Sequence, residues 1–157
     1  MEIFTVCFFG HRYIDRIGYI EREIEKLAGE FIRSKEYVEF LVGRDGEFDQ
    51  IVSSCIRRVK KNVFDANSSL ICVLPYVRAE YSNNIAEFEK YYDEIEICYE
   101  SAKAYSKAAI GIRNKKMIDR SDLCVFYVTE KKGGAYTAMK YAKKMGKMVM
   151  NIAEERE

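Results

Sequence analysis

Short, almost wholly apolar runs alternate along the chain with stretches in which apolar residues return every three or four positions. The run IFTVCFF at 3–9 predicts a buried strand, and Ile17, Ile20, Ile24, Leu27 and Phe31 predict an amphipathic helix after it. VEFLV at 38–42 predicts a second strand, followed by a helix carrying Phe48, Val52, Cys55 (or Ile56), Val59 and Val63. LICVLP at 70–75 predicts a third strand, and a short helix is expected over 84–92. EIEICY at 94–99 alternates charged and apolar side chains, the pattern of a strand with one solvated face, nearer a sheet edge. A helix over 105–119 leads into the strand LCVFYV at 123–128. Ala135, Ala138, Met139, Ala142 and Met145 mark a last helix, stopped by Gly146, before the strand KMVMNI at 147–152.

Continuous apolar strands separated by helices imply parallel strands covered on both faces. The expected fold class is α/β, a Rossmann-like three-layer sandwich on a mainly parallel sheet of about six strands. A length of 157 residues suits a single domain over 1–157 with a real core, and the 48% hydrophobic fraction excludes a disordered chain. The formal net charge of +1 gives no electrostatic reason to expect a polyanion, so nucleic acid is expected to be an improbable partner. The five cysteines lie in apolar runs or on a helix stripe, without metal-ligand spacing, and are expected to be buried thiols. With no leader-like N-terminus and no apolar segment approaching the roughly 20 residues of a membrane span, a cytoplasmic protein without membrane contact is expected.

In open parallel sheets, ligands bind beyond the carboxyl ends of the strands. The first strand ends in Gly10, His11 and Arg12: the glycine permits close approach, and the arginine offers a charged fork to phosphate. His11, the one histidine, either packs against the turn or touches ligand; a histidine-based metal site is excluded. After the second strand, Gly43, Arg44, Asp45 and Gly46 open a helix. They make either an anion-binding turn or an ordinary one with Asp45 as N-cap and Glu47 complementing the helix dipole. After the fifth strand, Gly133, Gly134, Ala135, Tyr136 and Thr137 combine two glycines with a hydroxyl at a helix start, which suits phosphate. On the helix before that strand, Arg113 shares a face with Lys116, either as part of a solvated basic face or leaning over the last glycine turn.

Together CFFGHR, GRDGEFD, RNKKMIDRSD and GGAYTAMKYAKKMGK resemble, in order and spacing, the YpsA-like branch of the SLOG superfamily, the Rossmann-like nucleotide-binding domains named for the Smf/DprA and Lonely-guy proteins. Arg113 and Met117 match the R-K-x-x-M segment of the Lonely-guy phosphoribohydrolases, and Gly133, Gly134 and Thr137 match their P-G-G-x-G-T-x-x-E segment. The departures fall where the chemistry sits: Lys132 replaces the proline, Tyr136 the third glycine and Lys140 the catalytic glutamate. Cleavage of an N-glycosidic bond builds positive charge on the ribose, which a carboxylate stabilises and an ammonium opposes. The resemblance therefore implies binding of a small nucleotide or NAD-derived molecule such as ADP-ribose without hydrolysis, with no cofactor required. Asp45, Glu47 or Asp49 could instead supply a displaced carboxylate to a phosphoribohydrolase-like enzyme. Single-stranded DNA binding, as in the DprA relatives, is a further alternative through the interleaved Tyr and Lys of AYTAMKYAKK. The relatives also imply a possible homo-oligomer.

Overall fold

The computed structural model describes residues 1–154. The chain runs β1 (Ile3–Gly10), α1 (Ile17–Ser34), β2 (Tyr37–Val42), α2 (Glu47–Asn62), β3 (Ser68–Leu74), α3 (Ala79–Ser82), α4 (Ile85–Tyr91) and β4 (Glu94–Ile97). It continues with α5 (Tyr99–Ala102), α6 (Ser106–Asp119), β5 (Leu123–Tyr127), α7 (Gly134–Lys144) and β6 (Met148–Asn151). Each predicted strand is present, and every pairing in the sheet is parallel. The strand order β4-β3-β2-β1-β5-β6 puts the alternating EIEI segment at one edge, as its half-polar pattern predicts.

Alternation along each central strand sends side chains to two separate cores. Val6 and Phe8 of β1 join Phe40, Leu70 and Val125 under the apolar stripes of α1 and α2, where Ile20, Ile24, Val52 and Ile56 are fully buried. Cys7 and Phe9 face the other way, with Leu41, Ile71 and Phe126, under Met117 and Ile118 of α6 and Ala138, Met139 and Ala142 of α7. The result is the three-layer sandwich expected from the apolar runs. All five cysteines are buried free thiols. Val63, expected on the α2 stripe, lies just past the helix end and is exposed. Among the described residues no helix is long and apolar enough to cross a membrane.

The chain order reverses between β1 and β5: β2, β3 and β4 follow on one side of β1, and β5 and β6 lie on the other. The connections leaving these two strands therefore diverge and open a crevice at the carboxyl edge.

Candidate functional site

A cavity of about 260 Å³ occupies that crevice. Gly10, His11 and Arg12 line it from the β1–α1 connection, Gly133, Gly134 and Ala135 from the start of α7, and Arg113 from α6. Asp45 and Asp49 line it from the end of the β2–α2 connection and the start of α2, so four segments distant in sequence meet at the switch point, each with a residue of the predicted set.

The glycines do different work. Gly133 has φ +93°, a left-handed conformation that favours glycine, and a methyl built on it or on Gly134 would meet nothing within 4 Å. The backbone at the start of the eleven-residue α7 is therefore open to an approaching anion. Gly10 is a packing glycine, because a methyl there would lie 2.2 Å from Cγ of Phe48. Gly46 is likewise a packing glycine, because a methyl there would lie 2.6 Å from the Arg12 Cα, and Glu47 N donates to Arg12 O at 2.9 Å. These two contacts fix the height of the GHR turn against the first turn of α2.

His11 is engaged by the turn. Its Nε2 accepts the backbone N–H groups of Thr129 and Glu130, at 2.9 and 3.3 Å, which places the imidazole hydrogen on Nδ1. The histidine thereby ties the β1 turn to the connection that carries the open glycines, while still lining the cavity.

Asp45 is not the N-cap of α2; Gly46 holds that position without a side-chain cap. The Asp45 carboxylate instead receives Nη2 of Arg113 on one oxygen and Nη2 of Arg78 on the other. Arg113 also donates from Nη1 to Val73 O at 2.9 Å and from Nε to Asn114 Oδ1 at 3.0 Å. Its side chain is 3% exposed, so the solvated basic face expected for this helix excludes it; Lys116, its supposed companion, is exposed and pairs with Glu100. Burial alone would raise the Asp45 carboxyl, but Arg113 and Arg78 outweigh it and hold the group below its ordinary value.

Asp49 lies beside this pair, in the first turn of α2, and lines the cavity. One of its oxygens accepts Asp45 N at 2.9 Å. Burial, reinforced by the Asp45 charge, pushes its carboxyl up to about 6 despite that hydrogen bond. A methyl built on Gly43 would lie 3.1 Å from Asp49 Oδ2, 3.2 Å from Arg113 Nη1 and 3.2 Å from Asp45 Oδ2, so Gly43 is the floor on which the cluster rests.

Other predicted residues lie elsewhere. Arg44 turns away into a separate groove, donating to Glu80 and to the Tyr92 hydroxyl, both at 2.8 Å, over the ring of Phe88. Thr137 donates its hydroxyl to Gly133 O at 3.0 Å and stays outside the cavity lining, as does Tyr136. Lys140 is exposed, with Nζ 5.5 Å from the Tyr136 ring centroid. Arg78 and Asn114 were not foreseen, and Asp49 was considered only as a displaced carboxylate. The signal for Arg78 was its place in the connection leaving β3, at the same carboxyl edge. Among the described residues, one cluster offers metal-ligand donors, Glu21, Glu25 and Cys55, but Arg58 Nη2 already bridges both carboxylates.

No family model and no curated protein matches the chain in sequence. Solved structures do match in fold. DNA processing protein A from Helicobacter pylori, described for its unique single-stranded DNA binding mode, aligns with TM-score 0.65 at 18% identity. DNA processing protein A (DprA) from Streptococcus pneumoniae aligns with TM-score 0.68 at 14% identity. TM1055, a structural genomics target, aligns with TM-score 0.61 at 14% identity. The alignments cover 93%, 94% and 93% of this chain, which spans 63%, 49% and 72% of the three structures in turn. At such identities the likeness shows the shared Rossmann-like fold.

One expectation is overturned here. Nucleic acid was set aside as a partner on the strength of the near-neutral net charge, yet a protein of this fold has a single-stranded DNA binding mode. The physical reason is that net charge averages over the whole surface, whereas strand binding depends on local charge and stacking area.

Proposed function

We propose that this chain is a nucleotide-binding domain of the SLOG superfamily, in its YpsA-like branch, which holds a phosphate of its ligand in the switch-point cavity without hydrolysing it. The observation that carries this reading is the unobstructed Gly133–Gly134 turn at the start of α7, in a cavity that Arg12 also lines. Amide groups of such a turn receive phosphate oxygens, and the helix dipole favours the negative charge. Arg12, exposed and without an ion pair among the described residues, neutralises the ligand; Arg113 is a fixed donor already oriented by three hydrogen bonds. The ligand is a nucleotide or an NAD-derived molecule such as ADP-ribose. Binding without turnover is supported by Lys140 at the position where the resemblance expects a glutamate, and by the engagement of Asp45 with two arginines.

A second reading, single-stranded DNA, is favoured by exposed aromatic and basic side chains in the connections that leave the strands' carboxyl ends. Tyr13, Tyr99 and Tyr105 are 81%, 69% and 89% exposed in the connections leaving β1 and β4. Lys103 in the connection after β4, Lys107 in the first turn of α6, and Lys131 and Lys132 in the connection after β5 are exposed as well. Aromatic faces among cations are what a single strand stacks on.

A thermal-shift series with AMP, ADP, ATP, NAD, ADP-ribose, cyclic nucleotides and a short oligonucleotide tests both, with chromatography of the incubated ligands to detect turnover. A selective rise in midpoint with unchanged ligand supports the proposal. A rise with the oligonucleotide alone supports the second reading. Product formation abolished by Asp49→Asn would replace binding with hydrolysis.

A further inference from the structure

We infer that the cavity selects a phosphate carrying a single charge, as in a phosphodiester or one phosphate of a diphosphate bridge, over a terminal phosphomonoester, and that Asp49 makes the selection. This rests on the phosphate-binding reading above and deepens it.

The charges gathered at the cavity are few and almost balanced. Arg12 and Arg113 line it, and Arg78 stands behind Asp45; against these three guanidiniums stand the Asp45 and Asp49 carboxylates. One positive charge is left over, and a phosphodiester matches it. A phosphomonoester brings about −1.5 to −2 at neutral pH, with a second ionisation near pH 6. Its extra charge would face Asp49, whose carboxylate accepts only the Asp45 N–H and has no ion pair among the described residues.

The groups facing Asp49 come from every neighbouring element. Asp45 belongs to the β2–α2 connection, Arg113 to α6 and Arg78 to the β3–α3 connection, and Arg12 and His11 of the β1–α1 connection line the same cavity. The Asp45 charge works against ionised Asp49, and Arg113 and Arg78 are shared with Asp45. The relief available when a doubly charged ligand enters is therefore protonation of Asp49, which burial already favours. Monoester binding must take up a proton at neutral pH; diester binding need not. A singly charged phosphate is common to the diphosphate bridge of ADP-ribose-like molecules and to the phosphodiesters of nucleic-acid strands, and the experiment separates these sources.

Isothermal titration of the full chain with AMP, ADP-ribose and a short oligothymidine lacking terminal phosphates, at about pH 7.5 and about pH 5.5, tests the inference. At the higher pH, AMP is expected to bind at least about tenfold more weakly than the better of the two diester ligands. Its binding should consume a proton, seen as heat that varies with the buffer, and should tighten at the lower pH. Asp49→Asn should remove both the discrimination and the proton uptake. AMP binding as tightly as the diester ligands at the higher pH, without proton uptake, overturns the selection while leaving the phosphate site intact. Discrimination that persists in Asp49→Asn overturns the role of Asp49. Failure of all three ligands to bind overturns the phosphate site and this inference together. Preference between ADP-ribose and oligothymidine identifies the source.

Discussion

Arg113 lines the cavity and donates to Asp45, so this buried arginine has its counter-charge within the fold. Asp45 also holds Arg78, and one carboxylate therefore fixes cations from α6 and from the connection after β3. The site is a preformed cluster rather than a ring of free arginines.

Removing Asp45 leaves Arg113 buried without its counter-charge. Asp45→Ala is expected to lower stability by about 3 kcal/mol, the usual cost of breaking a buried pair from one side. Asp45→Asn, which keeps an oxygen acceptor, should cost less. Urea denaturation of the two variants checks the order.

The glycines separate by the space above them. Gly134→Ala places a methyl in the open cavity, where no atom lies within 4 Å, so the unfolding midpoint should hold or rise while ligand affinity falls about tenfold or more. Gly10→Ala drives a methyl into the Phe48 ring and should cost about 1–3 kcal/mol through overpacking. Denaturation and ligand titration of both variants would show opposite patterns.

Arg12 and Arg44 make a second contrast. Arg12→Gln should change stability by less than about 0.5 kcal/mol and weaken phosphate binding. Arg44→Gln gives up Glu80, the Tyr92 hydroxyl and the Phe88 face, and should cost about 1 kcal/mol while leaving binding unchanged.

Stability should vary with pH through two carboxylates of opposite sign. Asp49 is raised from an ordinary 3.8 to about 6, so ionising it opposes folding. Its unfavourable contribution grows as pH rises from about 4 to about 6 and is constant above, reaching about 2–3 kcal/mol. Asp45, held below its ordinary value, stabilises the fold at neutral pH, and that contribution is lost as acid protonates it. Asp49→Asn is therefore expected to raise the midpoint near neutral pH and to change it little near pH 4. Thermal melts of both proteins across that range would show whether the curves diverge.

The layers of this fold were legible because the apolar runs are long and uninterrupted, and because the helix stripes of α1 and α2 keep a three- to four-residue spacing. The turns at β1 and β5 were legible for a different reason, since glycine at a strand's end signals close approach. Sequence could not show which glycines face open space and which face Phe48 or Arg12, because that depends on packing between segments far apart in the chain. Arg44 and Arg113 look alike as cations near glycine turns. Only the fold reveals that Arg44 leaves the site for Glu80 and that Arg113 meets Asp45. Two short helices, α3 and α5, were not foreseen: four residues carry too little periodicity to register.

The most direct test of the phosphate site is an amide NMR titration of the assigned chain with ADP-ribose and, in a second series, with oligothymidine. Saturable shifts concentrated at Gly10–Arg12 and at Gly133–Ala135, and small in the groove around Arg44 and Glu80, are the predicted result. Saturable shifts centred on the Arg44 groove, with the Gly133–Gly134 amides unmoved, would contradict the account.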